Sequence, residues 1–209
     1  MEKIIVKDVT KTFKGKPVLT NVSVTFEQGQ IHGIVGRNGS GKTVLIKIIC
    51  GLMHPDSGYV LVDGKRIGKD VDFPPKIGVI IEVPGFLTYQ SGLKNLRYLA
   101  SLRNIIDEDE IRSAIKKVGL DPEDRKPVGK YSMGMKQRLG LAQAIMEKPE
   151  ILILDEPMNG LDNDGVSEVR DLLLSLKREG TTIIIVSHNH EDIQALCDTV
   201  HKMHHGILE

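Results

Sequence analysis

Cysteine is nearly absent from this chain of 209 residues, which holds only Cys50 and Cys197. Two thiols in apolar settings rule out a disulfide framework, suit a reducing cytosol, and are expected to be small buried hydrophobes. Excess charge is lacking too: 28 basic and 28 acidic residues cancel to a formal net charge of zero. Without a basic excess, no long-range field draws the chain to nucleic acid or to an anionic membrane. No apolar run is long enough to span a bilayer, and the polar start at Glu2-Lys3 does not suit a signal peptide. Any membrane role must therefore come through a partner. Repeats and low-complexity tracts are also missing, and a 40% hydrophobic content suffices for one domain with an inserted lobe. Aromatic residues are sparse. There is no tryptophan, and Phe73, Phe86, Tyr89 and Tyr98 make up half of the eight Phe and Tyr residues.

What is present is a glycine-rich stretch, Gly36-Arg37-Asn38-Gly39-Ser40-Gly41-Lys42-Thr43, which fits Gly-x-x-x-x-Gly-Lys-Thr. The apolar Ile31-His32-Gly33-Ile34-Val35 before it is the pattern of a buried strand, and Val44 to Ile49 after it opens a helix. Glycines allow a tight turn with inward N–H groups, and the helix N-terminus adds a partial positive charge, so the spacing predicts a triphosphate cradle. In such a cradle Lys42 faces the β- and γ-phosphates and the Thr43 hydroxyl is a Mg²⁺ ligand.

The rest of the chain divides by period. Residues 3 to 28 alternate as an antiparallel layer, with Tyr59 to Val62 as another strand and Lys76 to Ile81 as a buried one ending at Glu82. Helical patterns fill 83 to 147, including an Asp107-to-Gly119 segment with acids first and lysines last. That segment is expected to be a helical lobe inserted into a core of 1–82 and 148–209. Two nearly pure apolar runs follow, Ile151 to Leu154 and Thr182 to Val186, linked by a helix from about 165 to 178. Strands this apolar, each with polar chemistry at its carboxyl end, predict a parallel sheet with ligands along one edge.

The first of these runs delivers Asp155-Glu156-Pro157, two carboxylates whose side chains diverge. Asp155 is the candidate for the Mg²⁺ shell and Glu156 for the general base that polarises a water. The second delivers Ser187-His188, where a neutral His188 either hydrogen-bonds a γ-phosphate or is structural. Tyr131-Ser132-Met133-Gly134-Met135-Lys136-Gln137-Arg138 opens a helix with Ser132 as N-cap, and Gly134 leaves its first turn open to an anion.

Taken in order, Gly36 to Thr43, Ser132 to Arg138, Ile151 to Pro157, Asn159-Gly160-Leu161-Asp162 and Ser187-His188 resemble the ATP-binding cassette family over essentially the whole chain. The resemblance implies an α/β fold with a P-loop NTPase (RecA-like) core, an antiparallel β layer and an inserted α-helical subdomain. It implies ATP and Mg²⁺ as ligands, with Asn38, Gly39, Ser40, Gly41, Lys42, Thr43 and Val44 on the phosphates. Tyr131 to Met135 take the place of the family signature, so Ser132 and Gly134 are expected to meet ATP bound to a second subunit. Asn159 to Asp162 match the loop between the two sites, and His188 matches the switch histidine. Phe13 either stacks on adenine, as the resemblance implies, or packs in the antiparallel layer.

Departures from the family pattern are Glu82 where glutamine is usual, Met133 and Met135 in the signature, and Val44 in place of a second hydroxyl residue. Glutamate still offers oxygen to Mg²⁺, making Thr43, Glu82 and Asp155 the expected metal set. Glu82 and the signature resemble cassettes that energise exporters of peptide antibiotics, of the bacitracin-resistance and lantibiotic-immunity type. The expected function is ATP hydrolysis by a cytoplasmic subunit, dimeric on ATP and held at the inner membrane face by a transmembrane permease. The aromatic group between 73 and 98 matches the family's permease groove, although core packing is expected to claim at least two of its four rings. Two rivals are a soluble cassette acting on ribosomes or DNA and a regulatory subunit that binds nucleotide without hydrolysis. The first usually needs two cassettes or a coiled coil in one chain, and Glu156 with His188 argues against the second. His201, His204 and His205 lack a ligand spacing and are expected to be a polar terminus.

Overall fold

The computed structural model describes residues 2–82 and 85–209, and every side chain in them except that of His190. β1 (Glu2–Phe13) and β2 (Lys16–Glu27) form a long antiparallel pair around a Lys14-Gly15 turn in which both residues have positive φ. β3 (Ile31–Val35) crosses to a second sheet and feeds the glycine-rich loop and the two-turn helix α1 (Lys42–Ile49). β4 (Ser57–Val62) returns to pair with β1, β5 (Lys65–Arg66) edges it, and β6 (Ile77–Ile80) rejoins the second sheet. The helical stretch comprises α2 (Gly92–Arg103), α3 (Glu108–Lys117), a short 3-10 turn and α4 (Met133–Ile145). Its expected start at residue 83 lies outside the described residues. β7 (Ile151–Asp155), α5 (Asn163–Arg178), β8 (Thr182–Val186), α6 (His190–Leu196), β9 (Thr199–His204) and β10 (Ile207–Leu208) complete the chain.

The four-stranded sheet has the order β2-β1-β4-β5, and the six-stranded sheet β10-β9-β3-β8-β7-β6. All pairs in the second sheet are parallel except β9 with β10. Side chains of a strand alternate between faces, and the two cores follow that period. Ile151 and Ile153 of β7 join one apolar cluster with α1 and the antiparallel sheet, whereas Leu152 and Leu154 join another with α2 to α5. Burial on both faces explains why β7 and β8 are almost purely aliphatic.

The helical lobe shares its core with the sheet. Leu96, Ile115 and Leu139 pack in the same cluster as Leu152 and Ile183, and α4 lies so close to β6 that a Cβ on Gly78 would fall 2.0 Å from the Ala144 carbonyl oxygen. Local signals set the helix starts. Asp107 caps α3 with a reciprocal bond from Glu110, and Ser132 caps α4 by accepting from the Met135 N–H at 3.1 Å.

Two expectations need correction. Only Phe86 of the four clustered aromatics packs on the core, while Phe73, Tyr89 and Tyr98 are exposed because they stand on the outer side of loops and of α2. His201 is not part of a polar terminus. It sits on β9, half-buried, with its ring edge-on to Phe26 at 5.6 Å and stacked on His32 at 6.5 Å. Cys50 is buried and Cys197 half-buried, and both are free thiols.

Candidate nucleotide site

The carboxyl ends of β3, β8, β7 and β6 lie side by side, and each one delivers polar groups to the same edge. Where β3 ends, the chain must turn against β9 within a few residues. Gly36 makes this possible, because a Cβ there would stand 2.3 Å from the Met203 carbonyl oxygen and 2.8 Å from Ser40 Oγ. Gly39 and Gly41 have φ of 79° and 111°, a region open to glycine at no steric cost. Gly41 is the N-cap of α1 and has no side chain to satisfy the first turn, so those N–H groups remain available to an anion.

Lys42, only 7% exposed, donates to the carbonyls of Gly36 at 2.6 Å and Arg37 at 3.1 Å. Its ammonium is thus held at the centre of the loop. Ser40 Oγ is buried without a hydrogen-bond partner, which is costly unless a further group is to be bound there. Thr43, on the first turn of α1, donates its hydroxyl to Asp155 Oδ2 at 3.0 Å. Burial pushes the Asp155 carboxyl up, the Thr43 bond opposes this, and the charges of Glu156 and Glu82 push it further up while Lys42 pulls it down. A half-buried carboxylate with surplus negative neighbours and a hydroxyl beside it is a hard-oxygen set of the kind Mg²⁺ takes together with phosphates. Among the described residues no three His, Cys, Asp or Glu side chains converge as a closed metal cage.

Glu156 directly follows β7 and its N–H donates to the Val186 carbonyl of β8 at 2.8 Å. This backbone bond brings the next strand end to it. His188 reaches Glu156 Oε1 twice, through its backbone N–H at 3.2 Å and its ring Nδ1 at 2.7 Å. That contact has a consequence for the tautomer. With Nδ1–H donating to Glu156, a neutral imidazole presents Nε2 as an acceptor, so only the protonated ring could donate to a phosphate at the same time.

Glu82, two residues beyond β6, has φ of 61° and accepts from Lys47 Nζ at 2.7 Å. A cleft of about 790 Å³ gathers Asn38, Gly39, Gly41, Lys42, Thr43, Val44, Glu82, Asp155 and Glu156. The remaining expected residues lie elsewhere. Ser40 is buried beneath the loop, while Ser132 and Asp162 are exposed N-caps of α4 and α5, and Gly134 packs on the Gly160 backbone. Phe13 ends β1 outside the cleft, partly exposed, with the Lys11 ammonium 5.6 Å from its ring centre.

Asn159, expected in the loop between two sites, and Met133 of the signature also line this cleft, whereas sequence reasoning assigned no role to Val18, Lys136 and Gln137, which line it too, or to Lys47, which holds Glu82. Gln137 donates to the carbonyls of Glu156 at 3.3 Å and Pro157 at 3.0 Å, tying α4 to the carboxylate loop. Lys47 was findable, since it stands four residues after Thr43 and therefore on the same face of α1.

Comparison with known proteins bears on this arrangement. A family model described as ABC transporter matches residues 19–159. An uncharacterized ABC transporter ATP-binding protein of Bacillus subtilis (strain 168), YybJ, is 46% identical over 206 residues, covering 99% of this chain and 94% of that protein. The bacitracin transport ATP-binding protein BcrA of Enterococcus faecalis is 42% identical over 211 residues, covering 100% of this chain and 68% of the relative. The solved dimeric structure of MJ0796, a bacterial ABC transporter cassette, superimposes with a TM-score of 0.89 over 99% of this chain and 96% of the other. At 24% identity that likeness speaks for the fold alone.

Proposed function

The chain belongs to the ABC transporter family, and from that premise we propose that it binds and hydrolyses ATP as the nucleotide-binding subunit of an exporter of peptide antibiotics. The observation that carries this reading is the Glu156 to His188 contact of 2.7 Å on strand ends adjoining the Thr43 to Asp155 pair. A candidate base, its positioning histidine and a metal-type oxygen pair share one sheet edge with a phosphate-type loop.

In the proposed reaction the loop N–H groups from Gly39 to Thr43 and the Lys42 ammonium hold the β- and γ-phosphates. Thr43 and Asp155, joined by Glu82, would hold Mg²⁺, which when bound supplies positive charge to the phosphate oxygens. Glu156 accepts a proton from a water whose oxygen bonds to the γ-phosphorus, and the bond from that phosphorus to the β–γ bridging oxygen breaks, giving ADP and phosphate. His188 fixes the Glu156 carboxylate through two N–H donors. Ser132, Gly134 and Asp162 lie off the cleft on helix N-termini, which supports a role toward nucleotide on a second copy of the chain. Each site would then join the loop and strand ends of one copy to the N-termini of α4 and α5 of the other.

The export reading draws on the likeness to BcrA, whose name assigns it to bacitracin transport. Among the described residues no helix is long and apolar enough to cross a membrane, and in the proposed role the cassette works through a permease. Exposed Phe73, Leu87, Tyr89 and Tyr98, beside the helical lobe, support such a docking surface at the inner membrane face. Phosphate release by the purified protein with Mg-ATP tests the catalytic part. Lys42→Ala is expected to abolish turnover and weaken nucleotide binding, because it removes the main cation of the loop. Undiminished hydrolysis by that variant would refute the reading.

A further inference from the structure

The proposed Mg²⁺ set has a rival cation inside the protein. Glu82 has its carboxylate oxygen 2.7 Å from Lys47 Nζ, and Lys47 lies one helical turn beyond Thr43 on the same face of α1. The neighbouring strand ends add Asp155 and Glu156, so three carboxylates border one cleft. Lys42 cannot serve them equally, since its ammonium is engaged by the Gly36 and Arg37 carbonyls. Glu82 is also held in a left-handed backbone with φ of 61°, a conformation that non-glycine residues keep only where their surroundings fix it. The side chain leaves that backbone largely exposed, and what its carboxylate meets is Lys47.

We infer that Lys47 is a positioning residue that acts as the resident counter-ion of Glu82 and competes with the nucleotide-borne divalent cation for that carboxylate. The inference rests on the ATP-and-metal reading above. It follows from charge alone: a carboxylate already paired with an ammonium must give up that partner, wholly or in part, before it can serve a metal. An amide at position 82 would hold no such cation, so the competition is a property of glutamate at this site. Metal dependence would thus be set by α1 as well as by the oxygen ligands.

The test uses Mn²⁺ as the probe, titrated into nucleotide-loaded protein, with free Mn²⁺ counted by electron paramagnetic resonance. Removing the competitor with Lys47→Met should tighten metal half-saturation by about two- to fivefold, the range expected for a partly exposed ion pair. Lys47→Arg keeps the pair and should leave the value near that of the wild type. In a Glu82→Gln background, Lys47→Met should change it by less than about twofold, since the pair is already gone. Thermal unfolding of each variant identifies any that fail to fold, and the Glu82→Gln pair with and without Lys47→Met then carries the comparison. Unchanged or weaker metal binding in Lys47→Met, or an equal shift in the Glu82→Gln background, would overturn the inference while leaving the nucleotide reading intact. Failure of the wild type to bind Mn²⁺ with nucleotide would overturn both.

Discussion

Alanine at Gly36 and at Gly39 should damage the same loop in two different ways. A methyl group at Gly36 meets the Met203 carbonyl oxygen at 2.3 Å, and that oxygen belongs to β9, which pairs along β3 from His32 to Val35. Neither the strand nor the buried Ser40 hydroxyl can step aside cheaply, so the loop must lift away from the sheet. Overpacking of this kind costs about 1–3 kcal/mol. At roughly 2–4 °C per kcal/mol for a chain of this size, the midpoint of thermal unfolding should fall by about 2–12 °C. Gly39 has open space around its Cβ position but a φ of 79°. There only the left-handed backbone is penalised, by about 1–2 kcal/mol, which would lower the midpoint by about 2–8 °C. Gly39 also lines the cleft, so a methyl group there stands where a phosphate must approach the backbone. Circular dichroism melts and isothermal titration with ATP at low temperature, where both variants are folded, separate the two effects. Gly36→Ala should lose more stability and Gly39→Ala should lose affinity out of proportion to its stability. A Gly36→Ala protein that melts with the wild type would refute the steric argument, and unimpaired ATP binding by Gly39→Ala would refute the phosphate assignment.

Two further predictions address the dimer and the histidine pair. Glu156→Gln removes the proposed base at little change of shape, so with Mg-ATP it should accumulate at twice the monomer mass in light scattering, and added Ser132→Arg should return it to monomer; a monomer at saturating ATP would rule out a nucleotide-bridged dimer of the isolated chain. Burial holds both the His32 and His201 imidazoles below their ordinary pKa, and His201 is lowered further by His32, whereas Glu27 and Asp198 partly oppose the shift at His32. The unfolded chain therefore binds protons that the folded one refuses, and stability should fall as pH drops below about 6.5 toward the depressed folded values. Urea midpoints between pH 7.5 and 5 should show this slope, and His201→Phe should flatten it; an unchanged slope would exclude the pair as its source.

The parts of this fold legible in the sequence are those whose residue types follow from burial or from backbone need. Ile151 to Leu154 and Thr182 to Val186 announce parallel central strands because both faces of each are covered, and both lie fully buried. The loop from Gly36 is legible because its glycines answer a carbonyl, a left-handed turn and a helix start, each a demand that other residues meet poorly. The N-cap at Ser132 is legible because a short oxygen-bearing side chain there satisfies the first turn, whereas the Asp162 cap was read only as a loop residue and its helix begins at Asn163 rather than about 165. His201 was not, since its partners Phe26 and His32 come from distant strands and no spacing along the chain brings a histidine on β9 to them.

Illegibility has a sharper cause at the two glutamates. Glu82 and Glu156 both take positive φ, at 61° and 51°, just beyond adjacent parallel strands. Glutamate has no preference for that region, where a non-glycine residue pays about 1–2 kcal/mol, so no propensity rule would place it there. From sequence alone, alternation suggests only that Asp155 and Glu156 diverge. What decides where Glu156 goes is its N–H bond to the Val186 carbonyl together with the two His188 donors, and what decides the direction of Glu82 is Lys47. At Glu156 the backbone cost is offset by hydrogen bonds with an element remote in sequence, whereas at Glu82 the largely exposed Lys47 pair offsets only part of it. At this sheet edge the left-handed backbone thus accompanies Glu82 and Glu156 but not Asp155, and it becomes visible only once the strands are aligned.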